Sequence, residues 1–157
     1  MVKKKINTEF YLFIILIISS FLLRFIYSSF YGDEYLGGEW RVLVNNLENY
    51  QIYSFYVFDS QPIPTVYMPP TYAYFLYFVK IISFNKINFI SLVIFLQVIL
   101  STYSIYIFYL INKNFFSEKL CLINSFIFTF LPLNIYAPSK ISSITLQIFL
   151  SLIFLHF

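Results

Sequence analysis

Two apolar runs constrain this chain more than any other feature: residues 10–31, beginning at Phe10 and ending at Tyr31, and residues 87–111. A bilayer core about 30 Å thick is crossed by about 20 apolar residues in helical form. Each run meets that length, and the first provides 22 residues. A run over 120–136, with Pro132 near its end, predicts a third span, and the apolar stretch 144–157 predicts an incomplete fourth. Composition argues against a soluble fold. Hydrophobic residues are 60% of the chain and charged residues 11%, too few to cover the large surface of a 157-residue soluble protein. The expected fold is therefore all-α: a polytopic transmembrane helix bundle over 1–157, with interfacial helices in its first external loop.

Charge sets the expected orientation. Lys3, Lys4 and Lys5 precede the first run, and basic residues keep a terminus cytoplasmic. The N-terminus resembles a signal peptide, but its apolar core is long and lacks a small-x-small cleavage pattern. An uncleaved signal anchor is the reading, with cleavage near Ser28–Ser29 as the alternative. Residues 32–86 then form an external loop. Five of the seven acids lie between residues 33 and 59, Asp33, Glu34, Glu39, Glu48 and Asp59, and Arg41 is the cation among them. No long basic stretch sits on a soluble platform, which argues against nucleic acid as a partner. Cys121 is alone and can form no internal disulfide.

Within the loop, Leu36, Trp40, Leu43, Val44, Leu47 and Tyr50 recur at helical spacing and predict an amphipathic interfacial helix over about 34–50. Gln61 to Pro70 should be extended and turn-rich. Pro69–Pro70 favour a helix start, and 71–84 reads as a second interfacial or half-inserted helix. A tilted full span is the alternative. If 71–84 does not cross, the connector carrying Lys140 faces the same compartment as the acidic loop, and the one carrying Lys113 and Lys119 faces the other.

Asp33–Glu34 is the sharpest chemical feature. One carboxylate can take a proton from an attacking hydroxyl, and the other can orient the acceptor or hold a divalent cation. The structural alternative is that Asp33 merely caps the next helix. Arg24, inside the first run, needs a partner. Asp33 or Glu34 could serve, or Arg24 could snorkel to headgroups or bind a lipid phosphate. Arg41 and Lys140 are candidate phosphate contacts or plain interfacial anchors. Trp40 and the tyrosines could stack on sugars or form an interfacial belt. His156 has no second metal ligand nearby, and the sequence holds no phosphate-cradling glycine loop, paired-cysteine site or nucleophile elbow.

Three segments, "LLRFIYSSFYGDEY", "LVNNLENYQIYSF" and "PTVYMPPTYAYFLYFVKI", occur in an order that resembles the start of a GT-C class membrane glycosyltransferase, of the protein mannosyltransferase and aminoarabinose transferase kind. The matching positions are Arg24, Asp33-Glu34, Tyr53-Ser54 and Pro69-Pro70-Thr71-Tyr72, within about residues 15–140. The resemblance implies transfer of a sugar from a polyprenyl-phosphate donor at the non-cytoplasmic face of a bacterial inner membrane. Asp33 would be the catalytic residue, supported by Glu34, with Arg24, Arg41, Lys140 and Tyr72 binding substrate or phosphate. The resemblance names no definite cofactor, a divalent cation being the one candidate. Two departures stand out. "YAPSKISSITL" lacks the acid that relatives carry there, and relatives have many more spans, so an N-terminal portion of a larger enzyme is implied, with the remaining portion as its partner. The other reading is a non-catalytic membrane subunit, or a lipid-headgroup-binding or transport protein.

Overall fold

The computed structural model describes residues 8–58, 61–64, 68–83 and 88–157. Lys3–Lys5 and Asp59 lie outside them, as do 84–87, where the expected 71–84 helix ends and the expected 87–111 span begins. In chain order the elements are α1 (Thr8–Tyr31), α2 (Gly38–Tyr50), β1 (Ser54–Phe58), β2 (Gln61–Pro64), α3 (Pro70–Ile82), α4 (Phe89–Lys113), α5 (Glu118–Phe130), α6 (Pro132–Tyr136), a 3-10 turn (Ala137–Ser139) and α7 (Ile144–His156). The described structure is helical apart from one two-stranded hairpin.

Two helices, α1 and α4, are long and apolar enough to cross a bilayer, with mean hydropathies of 2.2 and 2.0. They run antiparallel: Phe13 stacks on Tyr109 at 4.0 Å, and Phe25 meets Phe95 edge-on at 6.4 Å. Residues 32–88 therefore leave and return at the same end of the pair. Near the start of α1, Phe13 and Leu16 pack with Cys121 of α5; farther along, Arg24 reaches Thr129, so α5 runs parallel to α1. α7 follows α4, its Leu146 packed near Val93 and Ile94 and its Phe149 near Tyr103. The four helices alternate in direction.

The expected third span, 120–136, is not one helix. α5 ends at Phe130, α6 starts at Pro132, and the two segments are bent by 62°. Pro132 offers no N–H to the carbonyl four residues back and its ring crowds that carbonyl. Leu131, the residue before it, takes φ −58° and ψ 127°, outside the helical region as a pre-proline residue tends to be.

The loop segments form a layer over one end of the array. α2 starts at Gly38, later than expected, because Gly37 and Gly38 weaken the first turn. Its Leu43, Val44 and Leu47 are buried, as the spacing predicts. α3 starts at Pro70 and buries Tyr72, Ala73, Leu76 and Val79. Val44, Tyr72, Leu76 and Val79 join Ile90, Val93 and Ile94 of α4 in one core. Lys80, which interrupts the apolar pattern of α3, pairs with Glu48 of α2. α3 stays within this layer and does not carry the chain to the opposite end. The hairpin was not expected, since Pro62 and Pro64 read as turn formers. They sit in β2, facing Val57 and Ser54, and proline is tolerated on such an edge strand, where a donor is dispensable.

Candidate functional site

Arg24 is fully buried and is matched entirely by neutral acceptors. Its Nε donates to Ser101 Oγ of α4 (2.9 Å) and its Nη1 to the carbonyl and hydroxyl of Ser20, one turn back. Its Nη2 donates to the Thr129 carbonyl at the end of α5 (3.0 Å). The last carbonyls of a helix have no internal partner and carry the negative end of the helix dipole. Where Pro132 breaks the chain, Asn134 Nδ2 takes the Phe128 carbonyl at 2.7 Å and Arg24 takes that of Thr129. Both partners expected for Arg24 are thereby replaced. It reaches neither Asp33 nor Glu34, and it does not snorkel toward headgroups.

Asp33 follows the end of α1. Its Oδ1 accepts from Lys140 Nζ at 3.0 Å and its Oδ2 from the Ile141 backbone N–H at 2.9 Å. Its own N–H donates to the Ser139 carbonyl at 3.0 Å. Lys140 Nζ donates in addition to the Tyr31 carbonyl. The hydrogen bond it donates to Asp33 holds the Lys140 ammonium above its ordinary 10.5, against the smaller cost of burial. The α6–α7 connector thus lies at the same end of the array as the acidic loop. Asp33 is not a helix cap: α2 begins five residues later, with Gly37 as its N-cap and no side-chain cap bond.

Glu34 is exposed, and no hydrogen bond or ion pair ties it to any described residue. With Asp33 it borders a groove of about 680 Å³ between the end of α1 and the start of α4. The groove changes character along its length. Toward the Asp33 end the polar side chains Ser28, Ser29, Asp33, Glu34 and Ser91 stand with Phe30 and Ile90, and farther along the two helices the lining is Phe25, Ile94, Phe95 and Val98. Gly32 permits the close approach that shapes it, since a Cβ there would lie 2.4 Å from the Ser28 carbonyl and 3.1 Å from Ile94 Cδ1. A second recess of about 390 Å³ opens on the other side of the same two acids, toward Tyr35, Gly37 and Ile141.

The remaining candidates divide. Arg41 stands exposed on α2 with no ion pair among the described residues. Tyr72 is 1% exposed, packed edge-on against Trp40 at 4.8 Å. Its hydroxyl donates to Gln97 Oε1 at 2.8 Å. Burial, with a smaller contribution from Asp33, pushes that hydroxyl far above its ordinary range. Tyr72 is therefore part of the packed core and not a contact open to ligand. Tyr53 donates to the Met68 carbonyl at 2.6 Å, closing the loop before α3. Among the described residues no three His, Cys, Asp or Glu side chains gather in a way that could hold a metal.

Sequence reasoning missed Gln97. Its Nε2 donates to the carbonyls of Pro138 (3.1 Å) and Lys140 (2.8 Å) while its Oε1 receives Tyr72. One buried amide thus joins α3, α4 and the segment that holds Asp33. The available signal was a lone glutamine in the middle of an apolar 25-residue helix. A polar side chain there costs free energy unless it is bonded. In comparisons with known proteins, no family model, curated protein or solved structure matches this chain.

Proposed function

We propose that the chain is a multi-pass integral membrane protein and belongs to a glycosyltransferase that moves a sugar from a polyprenyl-phosphate donor to an acceptor hydroxyl. The membrane part of this reading is supported by an inverted α1. Its buried stripe includes Ser20, Arg24 and Ser28, whereas Leu12, Ile15, Ile18, Leu22 and Phe25 face outward. Such a surface suits hydrocarbon and not water. With the Lys3–Lys5 end cytoplasmic, the loop layer and the Lys140 connector lie on the non-cytoplasmic side of the inner membrane.

The observation that carries the catalytic part is the unequal acid pair beside a half-polar, half-apolar groove. Asp33 has both oxygens engaged, so the geometry favours exchanging the roles drawn from the resemblance. Glu34 accepts the proton of the acceptor hydroxyl as its oxygen attacks the anomeric carbon, and Asp33 fixes the segment. The bond from that carbon to the phosphate oxygen breaks, its electron pair leaves with the phosphate, and the anomeric configuration inverts. Among the described residues of the loop layer, Arg41 is an exposed cation for the leaving phosphate. Membranes carrying the full protein, supplied with a radiolabelled polyprenyl-phosphate hexose, should transfer sugar in the wild type and lose transfer in Glu34→Gln, with unchanged abundance. A Glu34→Gln variant transferring at the wild-type rate would refute the base role. The firm structural engagement of Asp33 also suits a non-catalytic headgroup-binding subunit, which would show no transfer in any variant.

A further inference from the structure

We infer that the groove between α1 and α4 is a binding site for a lipid whose headgroup is uncharged and rich in hydroxyls. Two independent observations carry it. Ser28 is 7% exposed, and its buried Oγ has no hydrogen-bond partner although the residue lines the groove. An unmatched buried hydroxyl is costly unless something bonds to it. Glu34, on the same rim, is a carboxylate with all its acceptor positions open. Together they offer acceptors and one adaptable hydroxyl, the complement of a headgroup that donates hydrogen bonds.

The charge balance narrows the class. Among the described residues two carboxylates line the groove and no lysine or arginine does. Against that described lining a phosphate meets repulsion, since Lys140 is already bonded to Asp33, so a phosphate-bearing sugar donor would place its phosphate outside the groove. Below the polar rim, Phe25, Ile94, Phe95 and Val98 supply an apolar channel along the helices, the direction an acyl chain takes. A volume of about 680 Å³ falls within the usual range for small-molecule sites, about 300–1,000 Å³. The inference rests on α1 and α4 being membrane helices and is independent of sugar transfer.

The test uses the full chain in phosphatidylcholine vesicles. One set is doped with a monoglucosyl diacylglycerol and another with phosphatidic acid, each bearing the same acyl-chain diazirine. After illumination, labelled peptides are mapped by mass spectrometry. The glucolipid should label α1 and α4 around Phe25, Phe95 and Val98 at least about fivefold more than phosphatidic acid, the ratio one hydrogen bond supports. Ser28→Ala should lower glucolipid labelling by a similar factor, and Ile94→Trp, which fills the groove, should abolish it. Preferential labelling by phosphatidic acid, or glucolipid labelling spread evenly over the outward faces and unchanged in Ile94→Trp, overturns the inference. Alkaline carbonate extraction separates the two layers of the reading: release of the protein from vesicles defeats the membrane assignment itself, whereas retained protein with no groove labelling defeats the site alone.

Discussion

Arg24 and Glu34 each place a formal charge beside a large apolar surface, and the fold treats them in opposite ways. Arg24 is sealed among α1, α4 and α5, with its donors distributed over two hydroxyls and two carbonyls. Glu34 is left open on the rim of a groove, while its neighbour Asp33 is bonded through both oxygens. A buried charge without such partners would cost several kcal/mol, so the closed site is where stability concentrates. The open carboxylate contributes nothing obvious to the fold, and that idleness marks it as available for a ligand.

The largest expected effect tests the closed side. Arg24→Leu leaves the Thr129 carbonyl and the Ser20 hydroxyl unpaired in a dry interior, at about 1–3 kcal/mol each. Thermal denaturation in detergent micelles should show a loss of roughly 3 kcal/mol or more, and a melting point equal to wild type would erase the contrast. Gly32→Ala comes next. The added Cβ meets the Ser28 carbonyl and Ile94, so a loss of about 1–3 kcal/mol from overpacking is expected, together with reduced glucolipid labelling. Tyr72→Phe strands the acceptor of Gln97 and should cost about 1 kcal/mol by the same denaturation assay.

The smallest effect belongs to the open side. The Lys140–Asp33 pair is about a third exposed on each side chain, so its coupling in a double-mutant cycle should be below about 1 kcal/mol. Its pH dependence has a definite sign. Folding raises the Lys140 value above 10.5, so the stabilisation is complete below that pH and fades as pH climbs past the folded value. The stability gap between wild type and Lys140→Met should therefore close under alkaline conditions. A gap that widens there would show that Asp33 is not what holds the ammonium.

The sequence exposed the long elements well and the contacts poorly. Apolar run length located the end of α1 and both ends of α4 to within two residues, and Pro69–Pro70 located the start of α3. Pro132 was visible, yet 120–136 was taken as continuous because composition alone does not distinguish a bent span from a straight one. The hairpin was hidden by prolines that serve equally in turns and on edge strands. For Arg24 the sequence offers an acid nearby in the chain or the headgroups as partners. Its actual partners, Ser101 and Thr129, come from helices whose rotational register no single-chain periodicity reveals. Serines and threonines inside apolar helices commonly bond to their own backbone, as Thr102 and Ser104 do here, so nothing distinguished Ser101 from its neighbours.

Gln97 has an orientation as well as a position. Its oxygen must face a donor, Tyr72, and its nitrogen must face two carbonyls; turned over, the amide would set oxygen against oxygen twice. A glutamate there matches glutamine in shape and fails in polarity, because it brings no hydrogen to the backbone of Pro138 and Lys140. The join between the helix array and its cap is thus keyed. It locks in one sense only, and the strand of chain that grips Asp33 inherits that handedness.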